Sequence, residues 1–123
     1  MQKNIDIKTI EYITHEFAQK NMTGNEPIPE FHTRYPNILE SCVATPFQKF
    51  NKKDLYPGLT KKASVLFYYL IKNHPFQNGN KRIAVTTLLT FLYLNNKWIQ
   101  VDNKDLYNFA VWVAESPASL KQS

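Results

Sequence analysis

Two long apolar segments, joined by a short polar turn, dominate this chain. The first runs from Leu59 to Asn73, and the residues that mark its buried face are Ala63, Leu66, Phe67, Leu70 and Ile71. The second runs from about Asn80 to Leu94, and its apolar residues fall on two faces of a helix: Val85, Leu88, Leu89 and Leu92 on one, Ala84 and Phe91 on the other. A helix that is apolar on more than one side belongs at the centre of a bundle.

Shorter helices are predicted on either side of this pair. Residues 5–18 place Ile10, Ile13 and Phe17 at helical spacing. Pro36 suits the first position of a second helix, whose apolar stripe comprises Ile38, Leu39, Cys42 and Val43. After a short extended link at 98–101, Asp102 or Asn103 can cap a last helix, whose inward residues are Leu106, Phe109, Ala110 and Val113.

Loops account for the remaining segments. Asn21–Tyr35 contains Gly24, Pro27 and Pro29, which interrupt regular structure and predict a loop or a short extended piece. The segment from Phe47 to Gly58 carries Phe47, Phe50 and Tyr56, which we expect to fold back on the core. The chain is therefore predicted to be all-α: a small single-domain helical bundle over residues 1–123, with its core at about 5–115.

Composition limits the cellular setting. Of the residues, 43% are hydrophobic and 20% charged, which is typical of a folded globular domain. One cysteine, Cys42, excludes an internal disulfide framework and suits a reducing cytoplasm. The apolar runs are shorter than a bilayer span, and the amino end lacks a signal-peptide pattern, so we expect a cytoplasmic protein without membrane contact. The net charge of +5 favours anionic partners, but the lysines are dispersed and do not point to nucleic acid.

The turn between the two long helices, His74–Arg82, combines groups that handle phosphate. A helix start presents backbone N–H groups and partial positive charge to an anion. His74 can act as general base on an incoming hydroxyl, and Gly79 allows phosphate to approach the backbone. The site predicted from these residues comprises His74 as base and Gly79, Asn80, Lys81 and Arg82 as phosphate ligands.

Simpler structural interpretations apply to the other histidines and to the cysteine of the chain. An isolated histidine more often caps a helix or packs in a core, and His15 and His32 are assigned that role. Cys42 lies on an apolar helix face and is interpreted as packing. The chain has neither a G-x-x-x-x-G-K-[ST] phosphate loop nor a G-x-G-x-x-G fingerprint, and its few cysteines and histidines do not form a usual zinc site.

The turn reads H-P-F-x-x-G-N-K-R and resembles the signature of the Fic/Doc family, in its Doc (death-on-curing toxin) branch. Lysine at position 81 is similar to Doc, because AMP-transferring Fic enzymes usually carry a second glycine there. Further resemblance lies in Arg34, in Asn37–Ser41 with Thr45–Phe47, and in Asp54–Pro57. It covers nearly all of residues 5–115.

This resemblance implies a small helical Fic fold that transfers a group from ATP, in the presence of Mg²⁺, to a protein hydroxyl. His74 would take the target's proton, while Gly79, Asn80 and Arg82 hold phosphates. Lys81 would fill space that AMP-transferring enzymes leave open, which in the Doc branch goes with exposure of the γ-phosphate and phosphorylation of elongation factor Tu. The family's self-inhibitory helix is not evident, which implies a separate Phd-type antitoxin.

One position departs from the family pattern. Asn78 stands where the family usually has the Asp or Glu that holds Mg²⁺. An amide oxygen can ligate Mg²⁺ without contributing charge, so we expect weaker metal binding. Three interpretations follow: a Doc-like kinase toxin, an AMP or other nucleotidyl transferase of the same fold, and a non-catalytic member or basic binding module.

Overall fold

The computed structural model describes residues 2–14, 28–97 and 103–115. Helices dominate this part of the chain: α1 (Ile7–Tyr12), α2 (Pro36–Ala44), α3 (Leu59–Lys72), α4 (Asn80–Leu94) and α5 (Asn103–Glu115). Short 3-10 turns lie at Phe31–Thr33 and Thr45–Phe47. Strands β1 (Lys49–Phe50) and β2 (Lys53–Asp54) form an antiparallel hairpin in which Lys49 pairs with Asp54 and Phe50 with Lys53. The all-α class is confirmed, and this small hairpin is its one addition within the described residues.

Helix α4 is the centre of the bundle, as its two apolar faces predict. It packs against α3 and α5, and the buried apolar residues of α4 are Ile83, Ala84, Val85, Leu88, Phe91 and Leu92. The buried hydroxyl of Thr86 is hydrogen-bonded, since it donates to the Arg82 carbonyl at 2.8 Å. The predicted bounds of α4 are confirmed at both ends.

Helix α3 contributes the opposing apolar face, and all five residues predicted to be buried there are buried. It ends at Lys72, one residue before the predicted Asn73. His74 precedes a proline, whose ring disfavours the right-handed helical conformation and so ends the helix before it; the backbone of His74 has a positive φ of +50°. The polar turn therefore begins where α3 ends.

Two predicted core residues are exposed. Ile38 is 36% exposed, because Leu39, Cys42 and Val43 cover the narrow contact face of the nine-residue helix α2 and Ile38 lies at its edge. Phe50 is 70% exposed, because β1 and β2 turn sharply at Asn51 and Lys52, whose φ angles are positive. The prediction that Phe50 folds back on the core is wrong.

The rest of that segment is held to the bundle by a buried cation. Lys62, on α3, is 1% exposed, and its ammonium group donates to Asp54 Oδ2 at 2.9 Å and to the Tyr56 carbonyl at 2.6 Å. The same group lies 5.5 Å from the centre of the Phe47 ring, and that ring packs edge-on against Phe91. These contacts join the hairpin and its connection to the core.

The first helix was predicted over residues 5–18; α1 begins two residues later, at Ile7, and residues 15–18 lie outside the described part. Asp6 caps α1 by accepting the Thr9 N–H at 2.7 Å, and Ile10 and Ile13 are buried. Phe17 and the link at 98–101 lie outside the described residues. Helix α5 begins at Asn103 and buries Val113, whereas the side chains of Leu106, Phe109 and Ala110 lie outside the described part. No helix in the described part is long and apolar enough to cross a bilayer.

Candidate active site

The turn between α3 and α4 is anchored by two buried residues and presents an exposed histidine. Phe76 is 1% exposed and, with the buried Pro75, holds the turn against the core. His74 is exposed, as are Gln77 and Asn78. Apolar packing therefore fixes the backbone of the turn, while the imidazole of His74 is accessible to a substrate.

Asn80 closes the turn from the inside. Its side chain accepts the Phe76 N–H through Oδ1 at 2.9 Å and donates to the Phe76 carbonyl through Nδ2 at 2.8 Å. Nδ2 also lies 3.5 Å from Nδ1 of His74. At 8% exposure, Asn80 links the candidate base to the start of α4.

The start of α4 brings the predicted phosphate ligands together. Gly79 adopts a left-handed conformation with φ of +76°, and its carbonyl accepts the first regular helical hydrogen bond, from the Ile83 N–H. A Cβ atom built on Gly79 would lie 3.6 Å from an Nη of Arg82, so this guanidinium folds back towards the helix start. Arg82 is 6% exposed and Lys81 is half-buried. Two cations and the helix dipole thus favour an anion at this end.

Residues 28–35, part of the predicted loop, pack against the outside of the turn. The Tyr35 N–H donates to the Pro75 carbonyl at 2.9 Å, and the rings of Phe31 and Phe76 lie 6.0 Å apart. The Arg34 guanidinium stacks 4.2 Å from the Phe31 ring centre. We call residues 28–35 the brace. Within the brace, Arg34 is the residue that resembles the family pattern. A local sequence pattern does not predict contacts with a turn some 40 residues further along the chain.

The donor set for Mg²⁺ is neutral. Asn78 is exposed and offers an amide oxygen, and the sequence from His74 to Arg82 contains no carboxylate. No cluster of three or more His, Cys, Asp or Glu side chains within the described ranges could hold a metal. Oxygen ligands suit Mg²⁺, which commonly binds through one or two carboxylates together with substrate phosphates. What the turn offers to a metal at the position of the family's carboxylate is therefore an uncharged amide oxygen, that of Asn78.

The fold and the turn define a class of protein. Residues 4–92 match the model of the Fic/DOC family, and the chain belongs to that family. Among individual proteins, it is 36% identical over 73 residues to the protein named Toxin Doc from Mycolicibacterium smegmatis. That match covers 59% of this chain and 56% of the relative, so the chain spans about half the length of that curated protein. No solved structure matches the chain.

Proposed function

We propose that this chain is a Doc-like toxin that transfers the γ-phosphate of ATP to a hydroxyl of a protein target. The observation that carries the proposal is the exposed imidazole of His74, held 3.5 Å from Asn80 at the start of a helix that also supplies Lys81 and Arg82. Family membership and the likeness to Toxin Doc support a toxin rather than another kind of phosphate-binding protein.

The proposed reaction needs one base and a set of cationic groups. His74 accepts the proton of the target hydroxyl, whose oxygen forms a bond to the γ-phosphorus as the bond from that phosphorus to the departing ADP breaks. Gly79 lets the phosphates approach the backbone N–H groups at the start of α4, Lys81 and Arg82 orient them and stabilise charge on the transferring group, and Asn80, whose side chain is bonded within the turn, holds that turn in place. Asn78, together with the phosphates, would hold Mg²⁺, which would supply further charge neutralisation when bound.

The proposed target is elongation factor Tu, whose modification would block translation. A cytoplasmic location follows from that target. A separate Phd-type antitoxin would neutralise the toxin, a proposal supported by the toxin name of the relative. The family's alternative reaction, nucleotidyl transfer, is disfavoured by Lys81, whose partly buried side chain stands at the helix start where phosphates would bind.

Label transfer tests the proposal. Purified protein is incubated with elongation factor Tu, Mg²⁺ and ATP labelled at either the α- or the γ-phosphate, with His74→Ala as the control. We expect γ label on the target from the wild-type chain and none from the variant. Transfer of α label would mean nucleotidyl transfer. No transfer of either label, to this target or to lysate proteins, would favour a non-catalytic member.

Asn78→Asp is predicted to raise Mg²⁺-dependent activity. The substitution adds a carboxylate to an exposed position of the turn and should lower the Mg²⁺ concentration for half-maximal transfer about tenfold, the lower end of typical ligand effects on metal sites. Gln77→Glu is the matched control, because Gln77 is the exposed neighbour and gains the same charge. An equal gain in both variants would indicate general electrostatics, and no gain in either would remove Asn78 from the metal site.

A further inference from the structure

The orientation of the Asn80 carboxamide is determined by the backbone of Phe76. Oδ1 faces the Phe76 N–H at 2.9 Å and Nδ2 faces the Phe76 carbonyl at 2.8 Å. Exchanging the two ends would set donor against donor and acceptor against acceptor at a buried position, which costs both hydrogen bonds. The end of Asn80 that faces His74 is therefore the NH₂ group.

This group has consequences for the imidazole beside it. The NH₂ nitrogen carries two hydrogens, of which the Phe76 carbonyl accepts one, and it lies 3.5 Å from Nδ1 of His74. An amide nitrogen can only donate, so the contact is favourable when Nδ1 is an acceptor. In a neutral imidazole one ring nitrogen carries the hydrogen, and its location is set by the hydrogen bond that the other makes. We propose that Asn80 is a positioning residue that holds neutral His74 as the Nε2–H tautomer.

The tautomer bears on the chemistry of the site. With Nδ1 directed at Asn80, Nε2 is the ring nitrogen left for a substrate, and in this tautomer it is a donor. It can hydrogen-bond a phosphate oxygen, but it accepts a proton from a hydroxyl only after the ring hydrogen has moved to Nδ1. This consequence rests on the proposed function, whereas the tautomer is a property of the resting chain.

The contact between Asn80 and His74 is weak enough to break when the His74 ring rotates. At 3.5 Å it is longer than both bonds that Asn80 makes to Phe76, and hydrogen bonds weaken towards this length. His74 is exposed, so its ring can turn away while the buried bonds of Asn80 keep the turn intact. Once the contact is broken, Nδ1 can take a proton from water while Nε2 gives its own to water, so substrate binding would switch His74 from donor to base without rearranging the backbone.

Nitrogen NMR of the imidazoles tests the inference on the full chain. Spectra are recorded at a pH above the titration of all three histidines, and His74 is assigned with His15→Gln and His32→Gln variants. We expect a larger Nε2–H fraction for His74 in the folded chain than in the same chain unfolded in urea. An equal fraction, or a majority of the Nδ1–H form, would overturn the inference.

Asn80→Asp provides the inverse experiment. The carboxylate oxygen that replaces Nδ2 can only accept, so His74 should change to the Nδ1–H form. Asn95→Asp is the matched control, because the Asn95 carboxamide likewise bridges a backbone N–H and carbonyl, those of Lys3, at another place in the fold.

The outcomes separate clearly. A change of His74 to the Nδ1–H form in both variants, or in neither folded variant, would contradict the role of Asn80. If Asn80→Asp does not fold, the Nε2–H fraction of His74 in the folded and unfolded wild-type chain decides the inference by itself. The expected tautomer without label transfer would leave the inference standing and the proposed function rejected.

Discussion

Gly79 is the residue on which the junction between the turn and α4 depends. Its φ of +76° lies in the left-handed region, where a side chain is unfavourable. Space is restricted as well, because a Cβ atom there would lie 3.1 Å from Cγ1 of the buried Ile28. The brace thus approaches the helix start as closely as a residue without a side chain allows.

Gly79→Ala is predicted to destabilise the fold by about 1–2 kcal/mol from backbone strain alone, with a further cost from the contact with Ile28. Urea unfolding of the variant in the wild-type and Ile28→Ala backgrounds separates the two effects. The substitution should cost more when Ile28 is present, because the shortened side chain removes the close contact. Equal costs in the two backgrounds would mean that Ile28 moves aside and only the backbone strain remains.

At the scale of single residues, the sequence indicated which residue types lie in the turn but not which of them contact or hydrogen-bond one another. His74 and Gly79–Arg82 were predicted as site residues because their chemistry and spacing are local. The bonds from Asn80 to Phe76 were not foreseen, because an asparagine at a helix start has several competing partners. The contact between Ile28 and Gly79 joins residues some 50 positions apart, and no local pattern encodes it.

Among the elements, the hairpin β1–β2 was missed while the two long helices were predicted almost to the residue. Helices α3 and α4 carry periodic apolar faces that are visible over many residues. The hairpin has two residues in each strand and no alternating pattern. Its position depends on Lys62, and a lysine within a helix ordinarily points to solvent. Burial of Lys62 follows from its partners Asp54, Tyr56 and Phe47, which only the folded chain assembles.

Asp54→Asn is predicted to destabilise the protein more than Lys62→Met. The first change leaves a buried ammonium group without its carboxylate, whereas the second removes the buried charge and leaves a carboxylate that is 35% exposed and can be hydrated. Midpoints of urea unfolding at pH 7 give the comparison. A lower midpoint for Lys62→Met would contradict the expected order.

The same ion pair predicts a pH dependence. The Lys62 ammonium lowers the pKa of Asp54 below its usual 3.8. A depressed folded-state pKa stabilises the native chain above the unfolded-state pKa, and this contribution is lost as pH falls through the folded value. The difference in unfolding free energy between wild type and Asp54→Asn should therefore be constant from pH 7 to about 5 and shrink below pH 4. A difference that stays constant to pH 2 would show that the pair does not affect the pKa of Asp54.

For the whole molecule, the position of Cys42 shows how α2 joins the bundle. Its thiol is buried on α2 and donates to the Tyr69 carbonyl of α3 at 3.4 Å. Burial disfavours the thiolate and raises the pKa of Cys42 to about 11. The interpretation of Cys42 as packing is confirmed by this burial. Because the chain has one cysteine, reagent access to it reports on the separation of α2 from α3.

Modification of Cys42 by a disulfide reagent at pH 8 is predicted to follow global unfolding. In the folded chain the thiol is both inaccessible and almost wholly protonated, so reaction requires an opened state. Its rate should rise with urea with the slope of equilibrium unfolding, and Gly79→Ala should accelerate it about tenfold for each 1.4 kcal/mol that the variant costs. A fast reaction that is independent of urea and unchanged in Gly79→Ala would instead show that α2 separates from α3 locally, while the turn and α4 stay folded. The two outcomes distinguish a bundle that opens as one unit from one whose candidate active site is more stable than its surroundings.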